Sequence, residues 1–105
     1  MRIILDECVP RRLMKDLQFD VNTVPGTGFA GLTNGNLLQS IQDDFDVFLT
    51  LDQNLRYQQN LADFTLAVIV VCAPSNRYED ILPFLPEIND AIESVKPGDV
   101  VILSR

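Results

Sequence analysis

A chain of 105 residues, 47% of them hydrophobic, carries enough apolar material for one compact core and too little length for two, so residues 1–105 read as a single domain. Its 8 basic and 15 acidic residues give a formal charge of −7, which repels nucleic acid at long range and argues against a generic nucleic-acid coat. The absence of histidine excludes zinc hydrolysis and every triad with a histidine base, leaving carboxylates, hydroxyls and amides as the available chemistry.

The longest apolar run, "LAVIVVCA" at 66–73, falls far short of the roughly 20 residues that span a bilayer. The N-terminus has neither the basic region nor the long apolar stretch of a signal peptide. The expected location is therefore the cytoplasm, with no membrane partner. Cys8 and Cys72 each close a predicted buried strand, where a free thiol acts as a small hydrophobe in a reducing compartment.

In chain order, "RIIL" (2–5) reads as a first buried strand. Pro10 then suits the first turn of a helix that carries Leu13, Met14 and Leu17 on one face. "DVNTV" (20–24) is a short second strand closed by Pro25 and Gly26. A helix beginning near Asn34 places Leu37, Leu38 and Ile41 inward and ends at Asp43 and Asp44. "DVFLTLD" (46–52) is the third strand, followed by a polar turn or short helix, "QNLRYQQN", and 65–72 is the fourth strand. Asn76 and Glu79 have the spacing of a capping box, and Ile81, Leu85, Ile88, Ile92 and Val95 form an apolar stripe that Pro83 and Pro86 should kink or split. "KPGDVVILS" supplies a turn and a fifth strand, 100–103. Apolar strands alternating with amphipathic helices imply an α/β fold with a parallel sheet covered on both faces.

In such a sheet Asp6 and Glu7 close the first strand and Asp52 closes the third, so these acids converge at the carboxyl edge. Asn34 opens the intervening helix and Asn54 lies two residues beyond Asp52, completing an oxygen-rich set of the kind magnesium or manganese prefers. Acids and amides also terminate strands and cap helices, and spacing alone leaves both readings open. Arg11, Arg12 and Lys15 follow the acid pair, as a solvated helix face or as phosphate ligands.

Two other patterns fail on particulars. "GTGFAG" (26–31) has the spacing of a dinucleotide fingerprint, yet its glycines precede the predicted helix start instead of opening it, so no nicotinamide cofactor is expected. A phosphoacceptor receiver has similar acids, but "ILSR" offers no lysine at the end of the fifth strand.

"RIILDECVPRRL", "GLTNGNLLQSIQDDFDVFLTLDQNL" and "RYEDILPFLPEI" together resemble the short bacterial PIN-like domains related to PIN-domain ribonuclease toxins of toxin–antitoxin systems. The resemblance covers nearly the whole chain and is most specific at "LDE" before Pro10 and at "LTLDQNL". It implies a three-layer α/β/α sandwich with a mainly parallel five-stranded sheet, and Mg²⁺- or Mn²⁺-dependent hydrolysis of RNA phosphodiesters. Carried over, Asp6 and Asp52 are the principal metal ligands and catalytic acids, with Glu7 beside them and Asn54 and Asn34 as further ligands. Thr50 holds a water or orients Asp52, and Arg11 or Arg12 meets the phosphate. A small antitoxin protein and a homodimer are the partners that relatives suggest. Many relatives open the second helix with an aspartate where this chain has Asn34, and an amide oxygen brings no charge to a cation. A catalytically degenerate PIN-like interaction module is the alternative.

Overall fold

The computed structural model describes residues 1–17, 19–24, 34–55 and 64–104. Five strands, β1 (Arg2–Leu5), β2 (Asp20–Thr23), β3 (Val47–Thr50), β4 (Ala67–Val71) and β5 (Val100–Leu103), form one sheet in the order β2-β1-β3-β4-β5. Every pairing is parallel. Three α-helices are described: α1 (Asn34–Ile41), α2 (Tyr78–Ile81) and α3 (Leu85–Ser94). None of the described helices is long and apolar enough to cross a membrane.

The central strands β3 and β4 are buried at every position, as parallel strands covered on both faces must be. Side chains alternate across them. Ile3, Leu5, Val47, Leu49, Ala67, Ile69 and Val71 join one cluster with Leu13, Ile81, Phe84, Ile88 and Ile92. Ile4, Phe48, Val68 and Val70 join a second with Leu37, Leu38, Ile41, Phe45 and Leu55.

The segment after β1 departs from the expected α-helix: residues Arg11–Asp16 form a 3₁₀ helix, and Pro10 stands just before it in extended geometry. The Leu13 N–H reaches the Pro10 carbonyl (3.1 Å) and the Leu17 N–H reaches that of Met14 (3.4 Å). Leu13 is buried from within the 3₁₀ helix, whereas Leu17 is its extended C-cap and reaches the same core cluster as the chain leaves the helix, not through the helical repeat.

Pro83 and Pro86 split the following helix: a 3₁₀ turn, Leu82–Phe84, separates α2 from α3, and each proline occupies a first-turn position where its missing N–H costs nothing. The capping box expected from Asn76 and Glu79 does not form. Arg77 is the residue before α2, without a side-chain cap, while the Ser75 hydroxyl accepts the Arg77 N–H (3.1 Å) and donates to Asp80 Oδ2 (2.5 Å). Before β5, Lys96 to Asp99 make a turn closed by the Asp99 N–H on the Lys96 carbonyl (3.0 Å). Gly98, at φ 85°, takes the left-handed position that a turn with proline ahead of it requires.

Candidate functional site at the carboxyl edge

The strand order reverses direction between β1 and β3: the chain leaves β1 for β2 on one side and returns to β3 on the other. Loops diverge at such a switch point and leave a crevice beyond the strands' carboxyl ends. Asp6 follows β1 there, and Thr50 ends β3 two residues before Asp52.

The Asp6 N–H donates to the Leu49 carbonyl (2.9 Å), which extends the β1–β3 ladder by one step and fixes the Asp6 backbone. Its carboxylate is engaged on both oxygens: Oδ1 accepts the Glu7 N–H (2.8 Å) and Oδ2 accepts the Thr50 hydroxyl (2.7 Å). Thr50 has no exposed surface, and its Oγ1 in turn accepts the Asp52 N–H at 3.1 Å. One buried hydroxyl thus fastens the Asp6 side chain to the Asp52 backbone across two strands. Asp52 Oδ1 accepts the Asn54 N–H (3.0 Å) and the Asp52 carbonyl accepts the Leu55 N–H (3.3 Å), a local turn that begins the next segment.

Cys8, expected from the sequence as an apolar strand end, belongs to this cluster. Its thiol stands 3.7 Å from Asp6 Oδ2 and 3.9 Å from Thr50 Oγ1. Burial pushes the Cys8 thiol above its ordinary value; a backbone hydrogen bond at Leu51 pulls the other way and the Asp6 charge adds to the rise. The group is accordingly a neutral thiol, a weak donor to the carboxylate, and not a thiolate nucleophile.

The remaining expected site residues are more dispersed. Glu7 lies past the end of β1 with an exposed side chain. Asn54 is exposed and contributes its backbone N–H to Asp52. Asn34 is the first residue of α1. The other end of that helix reaches the amino edge of the sheet, where Gln42 Oε1 accepts the Thr65 N–H (3.2 Å), so Asn34 begins toward the carboxyl edge. The Arg12 guanidinium lies over the Tyr78 ring, 4.3 Å from its centroid, and the Tyr78 hydroxyl donates to Asp16 Oδ2. That hydrogen bond raises the Tyr78 pKa above its ordinary value. Arg12 and Asp16 thereby clamp the 3₁₀ helix to α2, while Arg11 and Lys15 remain exposed. The glycine motif at 26–31 and residues 56–60 of "QNLRYQQN" lie outside the described residues.

Among the described residues no group of three or more His, Cys, Asp or Glu side chains is placed to hold a metal ion. Asp6 and Asp52 provide two carboxylates, both hard oxygen donors. Two suffice for magnesium, which is commonly held by one or two carboxylates together with substrate phosphates and retained waters.

Beside Asp52 a pocket of about 300 Å³ opens toward the loop that follows β4. Its described lining consists of Cys8, Leu51, Asp52, Ala73, Ser75 and Asn76. Of these Cys8, Leu51 and Asp52 stand at the ends of segments that sequence pattern marks as strands, and Asn76 drew notice only as a capping residue; Ala73 and Ser75 have no pattern that flags them as a wall. No family model, curated protein or solved structure matches the chain.

Proposed function

We propose that this chain is a PIN-like three-layer α/β/α sandwich that cleaves RNA phosphodiesters with Mg²⁺ or Mn²⁺. The observation that carries the reading is the tie between Asp6 and Asp52 through the buried Thr50 hydroxyl, at the switch point of a parallel sheet. Such a tie holds catalytic groups on the least mobile part of a scaffold, which is what metal-assisted phosphoryl chemistry needs.

In this mechanism Asp6 and Asp52 hold the metal. Among the described residues Asp6 Oδ1 accepts only the Glu7 N–H and keeps a lone pair for a cation, while Oδ2 takes the Thr50 hydroxyl and the weak Cys8 thiol donor, so Asp6 is oriented without losing its capacity to ligate. When bound, the metal supplies a Lewis acid for the phosphoryl oxygen and a water of lowered pKa. Thr50 keeps the Asp6 carboxylate aimed, and the Cys8 thiol stands beside the same oxygen, Oδ2, at 3.7 Å. Arg11 is better placed than Arg12 to meet a phosphate, because the Arg12 guanidinium is committed to Tyr78. The expected setting is cytoplasmic, as the toxin of a toxin–antitoxin pair, with a small antitoxin protein as partner and a homodimer as the assembly.

A second reading, a PIN-like interaction module without catalysis, is supported by the amides at 34 and 54 and by the lack, among the described residues, of three or more His, Cys, Asp or Glu placed together. Cleavage of end-labelled single-stranded RNA by the purified protein separates the two. With manganese or magnesium present, cleavage is expected, and a chelator, Asp6→Asn or Asp52→Asn should lower its rate on the order of a hundredfold or more. A folded protein that cuts nothing at saturating metal would leave the interaction module standing.

A further inference from the structure

The pocket beside Asp52 has a composition that selects against charge. Its described lining contains one carboxylate and no Lys or Arg, so a phosphate group placed there would meet a like charge without a counter-ion. Leu51 and Ala73 supply apolar wall, while Ser75 and Asn76 place polar groups along the same rim. Apolar walls with a few fixed polar groups are the chemistry of a site for a neutral, flat, polar-edged molecule. The volume, about 300 Å³, is at the small end for ligand sites, room for one ring system and not for a stacked pair.

The polar groups differ in availability. The Ser75 hydroxyl is occupied on both sides, accepting from the Arg77 N–H and donating to Asp80 Oδ2, and it therefore stiffens the rim. Asn76 is exposed and its side chain makes no hydrogen bond to another described residue, leaving an amide donor and an amide acceptor side by side. A side-chain amide matches the donor–acceptor edge of a nucleobase, which single-stranded RNA presents once a base is splayed from its neighbours. The pocket shares Asp52 with the crevice, and Cys8 touches Asp6 as well as the pocket, so a group seated here is joined directly to whatever lies at the two carboxylates.

We propose that this pocket seats one unstacked nucleobase next to the scissile phosphate, with Leu51 and Ala73 against the ring and Asn76 reading its edge; the inference rests on the ribonuclease reading and names single-stranded RNA as the substrate class. The preference for single strands follows from the need to splay the base, and Asn76 becomes the specificity-determining residue for one position beside the cut.

Metal-free protein labelled for NMR and titrated with the four free nucleosides tests the pocket without phosphate, metal or turnover. Saturable shifts are expected at Leu51, Ala73 and Asn76. Ala73→Leu, which fills the pocket, should weaken them about tenfold or more, and Asn76→Ala should alter the ratio of affinities among the nucleosides by about fivefold to a hundredfold, the range of a paired amide–base contact. Asn76 is exposed, so its variant remains informative even where Ala73→Leu fails to fold. Nucleosides that shift nothing at these residues, or that shift Ala73→Leu as strongly as the parent chain, overturn the proposal. RNA cleavage by a protein that shows no such shifts overturns the base pocket alone, whereas saturable shifts without cleavage overturn the ribonuclease reading and leave a nucleoside site.

Discussion

The middle of the sheet and its two edges obey different rules. In β3 and β4 every residue is buried, whereas β2 has one exposed and two half-buried positions and β5 has no fully buried position at all. Asp6 and Asp52 follow β1 and β3, two adjacent inner strands, and their neighbour Thr50 is sealed from solvent. Polar groups capable of chemistry are thus attached to the best-packed strands, and the exposed edges carry none of the crevice. The cost of holding a polar cluster there is met by hydrogen bonds that satisfy the buried hydroxyl on both sides.

The comparison breaks most clearly by cutting into each region. Phe48, fully buried in β3, lies in the cluster with Leu38 and Ile41, and Phe48→Ala should destabilise by about 3–5 kcal/mol. Val101, half-buried on the edge strand, should cost about 1 kcal/mol on change to alanine, a fraction of what full burial of a valine contributes. Urea unfolding of the two variants measures the gap. Equal losses would mean that β5 is as integral to the core as β3.

A smaller effect isolates the polar tie. Thr50→Val keeps the shape of the side chain but removes the Oγ1 acceptor of the Asp52 N–H and the hydroxyl donor to Asp6 Oδ2. The expected loss is about 1–3 kcal/mol, the penalty of an unsatisfied buried group, while Thr50→Ser should recover most of it. A valine variant as stable as the parent would show that water replaces the hydroxyl, and that the two acids are not fastened through it.

The same contrast explains what could be read from the sequence. β1 and β5 occupy the predicted residues, and the apolar runs at 46–52 and 65–72 locate β3 and β4, although both strands prove shorter. Asp46, Leu51 and Asp52 extend the run on paper but lie outside β3, although Asp46 still donates its N–H to the Arg2 carbonyl (2.8 Å) and its carbonyl accepts the Ala67 N–H (3.0 Å) just ahead of the strand. Pro83 and Pro86 announce the split before α3 through a steric rule that needs no context. The capping box does not form because the helix starts one residue later than expected: Arg77 precedes it, its N–H is taken by Ser75 Oγ, and Glu79 faces the Arg77 guanidinium at 3.7 Å. In the crevice, acids at strand ends were visible from spacing. The role of Cys8 was hidden, since a half-buried thiol beside a carboxylate looks in sequence like any small apolar residue. Ala73, Ser75 and Asn76 were hidden too, as a pocket wall assembled from a loop has no period.

The smallest effect concerns that thiol. Burial first, and then the Asp6 carboxylate, hold the folded-state pKa of Cys8 above its ordinary 9.0 against the opposing pull of the hydrogen bonds at Leu51 and Thr50. For an acid raised in this way, both states keep the proton below about 9, and the stabilisation is complete there. As pH rises through the interval between the unfolded and folded values, the unfolded chain releases its proton first, so stability falls. Tyr78, raised by Asp16, contributes a loss of the same sign at somewhat higher pH. The melting temperature should therefore decline on going from about pH 8 to about pH 10, and Cys8→Ala should make that decline shallower without removing it. If the slope is unchanged by Cys8→Ala, then the thiol is no more hindered in releasing its proton in the folded chain than in the unfolded one, and its burial beside Asp6 has no energetic consequence.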